Sequence, residues 1–190
     1  MPPPILLREM TAADLEFADC LRDLAGWNQT VGDWKRLLDL SPDGCFVATR
    51  DGASVGTATT LFYNDQLVWI GMLLVHPEFR RSGIGRALLE HCLSHLDSRG
   101  IVCIKLDATA QGKQLYERAG FKEELSITRW EIARLPDLVR EEPSGIRPAK
   151  ESDAPLIQEL DEAAFGVARP NLLKSLLKES CLALVHESAD

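Results

Sequence analysis

The chain has 190 residues, of which 45% are apolar, and a formal net charge of −8. This length allows one full domain with a proper core and a further segment, while an acidic composition argues against non-specific nucleic-acid binding, which needs a basic face. Five cysteines at irregular spacing suit neither a disulfide framework nor a zinc site. Four of them lie in apolar runs and are predicted to be small core residues: Cys45, Cys92, Cys103 and Cys181. We therefore expect a reduced, cytoplasmic setting and no bound metal. No apolar run approaches the roughly 20 residues that cross a bilayer, so no membrane partner is expected.

The first 75 residues alternate between strand and helix patterns. Apolar residues that recur at helical spacing predict helices, and short apolar runs bounded by turn residues predict strands. The run at 67–75 is nearly all apolar, as is typical of a strand buried on both faces. The predicted strands cover residues 5–8, 45–49, 54–62 and 67–75, and the predicted helices cover about 11–25 and 31–40.

The next 70 residues continue this pattern. A strong helix is predicted over 82–98, and Gly100 ends it as a glycine cap. A buried strand follows over 101–106, and then a short helix over about 111–118. Residues 121–132 alternate enough to be predicted as the last strands of the domain, and residues 136–145 have linker composition.

The segment after the linker repeats the beginning of the chain. Leu7-Arg8 followed by Asp14 recurs as Ile146-Arg147 followed by Asp153, at the same spacing. The run from Gly44 to Ala48 also resembles the run from Ser180 to Leu184, with a helical segment between the anchors in each copy. The alternative is a helical appendage that caps the domain. We predict a first domain at 1–135, a linker at 136–145 and a partial second unit at 146–190 that comprises a first strand, helices and a second strand.

The central motif is the turn between the strand at 67–75 and the helix that follows. It reads Arg80-Arg81-Ser82-Gly83-Ile84-Gly85-Arg86. A helix N-terminus presents unpaired backbone N–H groups and the positive end of the helix dipole, which together attract an anion. The two glycines let the backbone approach phosphate oxygens, and three arginines add positive charge in an otherwise acidic chain.

Other phosphate-binding motifs do not fit this turn. A dinucleotide-binding turn has a third glycine where this chain has Leu88. A P-loop needs Gly-Lys-Ser/Thr after a longer glycine loop, and the chain contains no such run. The turn by itself does not exclude a second interpretation, in which this is an ordinary helix start and the glycines serve only the turn geometry.

Two motifs together carry a family resemblance: the run from Leu73 to Leu89, which includes an Arg-x-x-Gly-x-Gly core, and Leu115-Tyr116-Glu117-Arg118-Ala119-Gly120-Phe121. The first is similar to motif A of the GNAT superfamily of N-acetyltransferases, and the second to that family's Leu-Tyr-x-x-x-Gly-Phe signature. The resemblance covers about residues 5–132. The segments at 26–30, 69–72 and 105–109 resemble the branch in which a second GNAT-like domain follows the first, and this agrees with the repeat.

The resemblance implies an α/β fold: a mixed, mostly antiparallel sheet, splayed between its fourth and fifth strands, with helices on both faces. It implies an acetyl-CoA-dependent N-acetyltransferase that moves the acetyl group to a primary amine by direct attack in a ternary complex. The pantetheine arm of coenzyme A would pair with the backbone of Leu73, Leu74 and Val75, and the pyrophosphate with the turn from Arg81 to Arg86. The partner would be a small-molecule or protein amine, and a homodimer is left open. The copy beginning at Ile146 ends before any such turn, so one cofactor site per chain is expected.

Tyr116 is the first catalytic candidate, because in the family this tyrosine protonates the leaving thiolate; the alternative is a core tyrosine. The strand at 67–75 lacks the glutamate that many members use as a base. Asp107 is the nearest acidic candidate, although capping the next helix is an alternative role for it. His76 is a weaker candidate, and a cysteine-acyl intermediate is not expected at Cys92 or Cys103. Without a base, the alternative function is a non-catalytic, regulatory module that binds acyl-CoA.

Three further residues complete the predicted site. Thr109 falls where many members place an asparagine that binds pantetheine, and capping of the helix is its alternative role. Trp27 and Asn28 lie in a segment that helps wall the acceptor site in the family, so they are predicted to contact the substrate; packing of Trp27 beneath its loop is the alternative.

Overall fold

The computed structural model describes residues 3–134 and 145–187 of the chain. Five strands form the main sheet in sequence order. The first four pair antiparallel with their neighbours, and the fifth runs parallel to the fourth. The strands are β1 (Leu6–Glu9), β2 (Cys45–Arg50), β3 (Ala53–Phe62), β4 (Leu67–Val75) and β5 (Cys103–Leu106).

Helices cover both faces of this sheet, as predicted. Their bounds are α1 (Leu15–Leu24), α2 (Val31–Leu40), α3 (Ile84–Asp97) and α4 (Lys113–Arg118). The start of α2 shows how local sequence sets these bounds. The Thr30 hydroxyl accepts from the Asp33 N–H at 3.3 Å, and the Asp33 carboxylate accepts from the Thr30 N–H at 2.7 Å, which satisfies two groups that the helix leaves unpaired. None of the helices within the described ranges is long and apolar enough to cross a membrane.

Each face of the sheet has its own core. On one face, α3 packs its buried residues, such as Leu88 and Cys92, against Val68 and Ile70 of β4. On the other face, α1 and α2 pack around the fully buried Trp34. The sheet therefore separates an α3 face from an α1–α2 face, and β4 has buried side chains on both, as its sequence predicted.

A β-bulge in β4 reverses which residues face each core. Thr57 of β3 pairs with Leu74, but Thr59 pairs with Gly71, so β4 contains one residue more than β3 between these rungs. The bulge includes Met72, whose φ of 48° lies in the left-handed region. Because side chains alternate along a strand, one extra residue moves Met72 and Leu74 to the α1–α2 face. The buried Thr57 hydroxyl donates to the Met72 carbonyl at 2.8 Å and holds the bulge in place.

Strands β4 and β5 separate immediately before this bulge. Their pairing covers four rungs and ends where Ile70 lies opposite Leu106. The C-terminal part of β4, residues 71–75, thus extends past the end of β5 without pairing to it. This is the splayed sheet that the resemblance to the GNAT superfamily implied, and the opening faces the start of α3.

The C-terminal segment has the same order of elements as the first 50 residues. Its elements are β6 (Ile146–Pro148), α5 (Ala154–Phe165), α6 (Pro170–Glu179) and β7 (Leu184–His186). Strands β6 and β7 form a separate antiparallel pair. The Met10 N–H donates to the Cys45 carbonyl at 2.7 Å, and the Ala149 N–H donates to the Ala183 carbonyl at 2.8 Å. Ala183, and not Cys181, is therefore the geometric counterpart of Cys45.

The prediction of strands over residues 121–132 is wrong. These residues have no regular secondary structure, and the Trp130 side chain is 89% exposed. Near the start of the segment, Glu123 pairs with Lys113 and Glu124 pairs with Lys105, both at 2.6 Å. Apolar alternation supplies a face for a strand, but a strand also needs a neighbour that completes its backbone hydrogen bonds, and within the described residues none pairs with this segment.

Two further predictions concern the linker and the cysteines. The predicted linker at 136–145 lies outside the described residues except for Gly145. Cys181, which its apolar neighbours suggested as a core residue, is exposed, and Cys103 is half-buried, whereas Cys45 and Cys92 are buried as predicted.

Candidate active site

The turn before α3 has the geometry of an anion-binding site. Arg81 has a φ of 59° and Gly83 a φ of 88°, so two left-handed residues fold the chain sharply into the helix. The first backbone bond of α3 runs from the Ala87 N–H to the Gly83 carbonyl at 2.9 Å. The preceding N–H groups, from Gly83 to Arg86, thus lie at the open end of a 14-residue helix, where the dipole favours negative charge.

The side chains of the turn have separate roles. The Arg80 guanidinium donates from Nε to the Val75 carbonyl at 3.1 Å and braces the turn against the end of β4. The Ser82 hydroxyl donates to the Phe79 carbonyl. Arg86 pairs with Glu90 at 2.7 Å, which offsets its charge, so Arg81, exposed beside these N–H groups, is the best placed of the three arginines to meet an anion.

Gly85 marks the point where the turn, β4 and α4 meet. A Cβ atom at this position would lie 3.6 Å from the side chain of Val75 and 3.7 Å from those of Leu73 and Leu115. The open end of α3 is therefore adjacent to the unpaired part of β4 and to the residue before Tyr116. The structure brings together the turn, residues 73–75 and α4, as the two sequence motifs predicted.

Tyr116 lies half-buried on α4. Its ring packs edge-on to Phe121, with centroids 6.1 Å apart, beside the α3-face core. Burial raises the pKa of its phenol, so the hydroxyl keeps its proton at neutral pH. A Cβ atom on Gly112 would lie 2.9 Å from Cε2 of this ring. The glycine at 112 therefore makes room for the Tyr116 ring itself.

The other predicted side chains lie on the surface. Asp107 follows β5 directly and is exposed, at the end of the strand that separates from β4. The exposed Thr109 hydroxyl accepts from the Gly112 N–H at 3.2 Å, a local bond in the turn before α4 that fits a capping role. Trp27 is half-buried and packs against the α1–α2 core, whereas Asn28 is exposed. Packing beneath the loop is thus at least part of the role of Trp27.

The buried cysteines are poor nucleophiles. Burial raises the pKa of the Cys45 thiol to about 12 and that of the Cys92 thiol to about 12. Because the thiolate is the reactive form, neither residue can readily carry an acyl group at neutral pH.

The structure also places residues in this region that the sequence analysis overlooked. Thr59 of β3 is buried, and its hydroxyl has no hydrogen-bond partner among the described residues. A Cβ atom on Gly71 would lie 3.6 Å from this hydroxyl oxygen, which places the hydroxyl beside Gly71, next to the bulge. A hydroxyl residue on a strand that alternation predicts to be buried is a signal that could have identified Thr59.

A second overlooked feature is a cluster of three aromatic side chains, which we call the aromatic cluster. Tyr63, directly after β3, Trp69 of β4 and Phe165 of α5 have ring centroids 4.9–6.4 Å apart. Phe165 lies about 100 residues from its partners in the sequence, and no local motif could have linked them.

Residues 41–123 match the family model described as acetyltransferase (GNAT) domain. This match, which contains the turn, β4 and Tyr116, assigns these residues to the GNAT acetyltransferase family.

Sequence similarity to individual N-acetyltransferases supports this assignment. The chain is 31% identical to the uncharacterized N-acetyltransferase YitH of Bacillus subtilis over 166 residues, which cover 87% of this chain and 58% of that protein. It is 35% identical to the ribosomal protein bS18-alanine N-acetyltransferase of Escherichia coli over 81 residues, which cover 41% of this chain and 54% of that protein. The chain thus spans little more than half the length of these relatives.

Among solved structures, a Pyrococcus horikoshii protein assigned as an acetyltransferase superposes with a TM-score of 0.81 and 27% identity. The match covers 96% of this chain and 65% of that one. Because it includes nearly the whole chain, the C-terminal segment shares in the likeness.

Proposed function

We propose that the protein is an acetyl-CoA-dependent N-acetyltransferase that transfers an acetyl group to a primary amine by direct attack in a ternary complex. The observation that carries this proposal is the opening between β4 and β5, which has the open N-terminal end of α3 and the half-buried Tyr116 beside it. Acetyl-CoA supplies an activated acetyl group that the amine nitrogen takes up, so the amine loses a proton and coenzyme A leaves as a thiol.

The residues of the chain fit this cofactor. The backbone N–H groups from Arg81 to Arg86 would hold the pyrophosphate, because they lie at the open end of α3 and no Cβ atom of Gly83 or Gly85 covers them. The backbone of Leu73, Leu74 and Val75, which is not paired to β5, would hold the pantetheine. Thr109 could add a hydroxyl contact, although its bond to Gly112 competes for it.

Two side chains of the chain are assigned to the proton transfers, one as donor and one as acceptor. Burial keeps Tyr116 protonated, so its hydroxyl is available to give a proton to the departing sulfur. Asp107 is the carboxylate that we assign to removing the amine proton, directly or through water, because it is exposed at the end of β5. The proton lost by the amine balances the proton gained by the thiol.

One observation favours the alternative function, a non-catalytic module that binds acyl-CoA. The cleft part of β4, residues 71–75, contains no carboxylate. A regulatory module would bind acetyl-CoA tightly without transferring its acetyl group, and this difference is measurable.

The test is single-turnover acetyl transfer to a panel of primary amines, together with calorimetric binding of acetyl-CoA. We expect Tyr116→Phe to slow the transfer step by about 100-fold, the usual range for a lost proton donor, with unchanged acetyl-CoA affinity. Gly83→Ala is the matched variant for the anion site. It should weaken acetyl-CoA binding about tenfold, because a Cβ at a φ of 88° costs ~1–2 kcal/mol and shifts the N–H groups.

Tight binding of acetyl-CoA by the unaltered chain without transfer to any amine would support the regulatory module instead. Failure to bind acetyl-CoA at all would contradict both functions.

We also propose that residues 146–187 form a second GNAT-like unit built on the plan of residues 6–50, as the repeat predicted. The shared order of strand, two helices and strand supports it, and so does the equivalent backbone bond at Ala149.

A further inference from the structure

The aromatic cluster joins the C-terminal segment to the edge of the proposed active site. The ring of Phe165 packs nearly perpendicular to that of Tyr63, with centroids 4.9 Å apart, and lies 6.2 Å from that of Trp69. The Arg169 guanidinium stacks over Phe165 at 3.7 Å and lies 5.7 Å from the centre of the Tyr63 ring. Phe165 and Arg169 therefore reach across from the second unit onto the first.

The position of Trp69 places this cluster beside the cleft. Trp69 lies opposite Lys105 on the last rung but one of the β4–β5 pairing. It alternates with Val68 and Ile70, which pack on the α3 face, so its side chain lies on the α1–α2 face. Gly71 is the next residue on that face and leaves open the space between Trp69 and the bulge.

Charged groups surround the same cluster. Burial raises the pKa of Tyr63, while Arg169 lowers it and the carboxylates of Asp107 and Asp161 raise it further. Asp107 directly follows Leu106, which lies opposite Ile70 on the last rung of the β4–β5 pairing. Because side chains alternate along a strand, Asp107 continues the face of Lys105, the residue opposite Trp69, and the proposed base therefore lies at the same end of the splayed strands as the aromatic cluster.

We propose that Phe165 and Arg169, supplied by the C-terminal segment, form one wall of the acceptor site and determine which amine is used. This inference rests on the proposed function, because it concerns the acceptor of that same reaction. Family likeness alone would place the acceptor wall on the segment around Trp27.

Arg169 is fixed in place and is already neutralised. Its Nε and one terminal nitrogen donate to the two oxygens of Asp161 at 2.8 and 2.7 Å, which is a bidentate pair. The guanidinium is thereby held flat against Phe165 and limits the movement of that ring.

The chemistry of this wall selects the class of acceptor. Aromatic rings contribute apolar surface, so they favour an amine attached to an aromatic or apolar body. Asp107 supplies a single exposed carboxylate, and the bidentate pair with Arg169 neutralises the carboxylate of Asp161, which leaves negative charge for only one ammonium group beside the rings. We therefore infer a monoamine with an apolar body, not a polyamine.

The experiment compares phenethylamine and spermidine as acceptors in kcat/KM, and in calorimetric binding of each amine to the full chain. Phe165→Ala should lower kcat/KM and affinity for phenethylamine about tenfold, since it removes the ring that would pack against the aromatic body of this amine. Acetyl-CoA affinity should not change. Arg169→Ala should shift the preference toward spermidine at least several-fold, because it removes a positive charge and exposes the carboxylate of Asp161.

Arg36→Ala is the matched control. Arg36 also holds the C-terminal segment, through Ser175 at 3.1 Å and Glu179 at 2.6 Å, but it does so from α2 and without contact to the aromatic cluster. We expect it to leave amine preference unchanged. Equal loss of phenethylamine use in Arg36→Ala and Phe165→Ala would overturn the proposal, because the segment would then act only through docking.

Measuring amine binding distinguishes a failure of this inference from a failure of the proposed function. If the unaltered chain binds phenethylamine but transfers nothing, and Phe165→Ala weakens that binding, the wall exists although the proposed reaction fails. If the chain acetylates amines and Phe165→Ala alters neither kcat/KM nor binding, the reaction stands and the wall is refuted. A preference of the unaltered chain for spermidine would contradict the inferred acceptor class.

Discussion

The two ends of the chain build the same local motif in different surroundings. Arg8 forms a bidentate ion pair with Asp14, in which the nitrogen–oxygen distances are 2.6 and 2.8 Å. Arg147 forms the same kind of pair with Asp153, at 2.7 and 3.0 Å. Each aspartate also accepts the backbone N–H three residues before it, at 2.9 Å in the first copy and 2.7 Å in the second. The motif thus depends on short-range contacts that both sequences contain.

The two copies differ in what their helices pack against. Leu21 of α1 and Leu160 of α5 occupy the same place in the motif, seven residues after Asp14 and Asp153, yet Leu21 is 2% exposed and Leu160 is 63% exposed. The first copy continues into β3 and β4, which complete its core. The second copy has only the β6–β7 pair among the described residues. A shared motif therefore does not imply a shared contribution to stability.

Truncating the two leucines should give the largest difference. Leu21→Ala removes a buried side chain and leaves a cavity, which should lower the free energy of unfolding by ~2–4 kcal/mol. Leu160→Ala removes a mostly exposed side chain and should change it by less than ~0.5 kcal/mol. Urea denaturation followed by circular dichroism measures both. Similar losses would show that the second copy is buried in solution.

The ion pairs should give an intermediate effect that depends on pH. The bond from Arg8 lowers the pKa of Asp14 from 3.8 to about 2. A depressed pKa stabilises the fold fully above about pH 4, and this contribution disappears as the pH falls toward 2. Asp14→Asn should therefore destabilise the protein by ~1–2 kcal/mol at pH 7, a range that allows for the partly exposed Arg8. The variant and the unaltered chain should converge near pH 2.

Asp153→Asn is the counterpart of this variant. The bond from Arg147 also lowers the pKa of Asp153. Because the second copy contributes less to the core, we expect a smaller change in global unfolding at pH 7 than for Asp14→Asn. An equal or larger change, measured by the same urea titration, would contradict the comparison.

The contact between α2 and α6 should give the smallest effect. Arg36 pairs with Asp33 on its own helix and with Glu179 on α6. Arg36→Ala should reduce stability by ~0.5–1 kcal/mol, as expected for a partly exposed pair. It should also speed hydrogen exchange in α6 while leaving α3 unchanged. Unaltered exchange in α6 would show that the aromatic cluster alone holds the second copy.

Local patterns predicted most of the fold. The bounds of α2 agree with the prediction over 31–40, because the capping pair of Thr30 and Asp33 starts the helix within a few residues of sequence. The prediction of a strand at 67–75 was also correct, since a nearly all-apolar run of that length is typical of a strand buried on both faces. The prediction of strands at 121–132 was wrong because the alternation of apolar residues does not reveal whether a neighbouring strand is present to pair with them.

The candidate site likewise has some parts that short motifs predicted and others that they did not. The turn before α3 and Tyr116 could be identified from two short motifs, because helix starts and glycine turns are local. The β-bulge at Met72 could not, because it depends on how β3 and β4 align. Phe165 could not be predicted as a neighbour of Trp69, since only the packing of the second copy brings the two together.

By itself, the amino-acid sequence determined the helices and most strands, the glycine turn before α3, the two family motifs and the repeated Arg–Asp motif. All of these depend on residues close together in the chain, where hydrogen bonding and apolar spacing act directly. Only the tertiary structure decided which copy of the motif is buried, where β4 and β5 separate, and which side chains surround the cleft. Those outcomes depend on contacts between residues that are far apart in the sequence, and no local sequence pattern specifies such contacts.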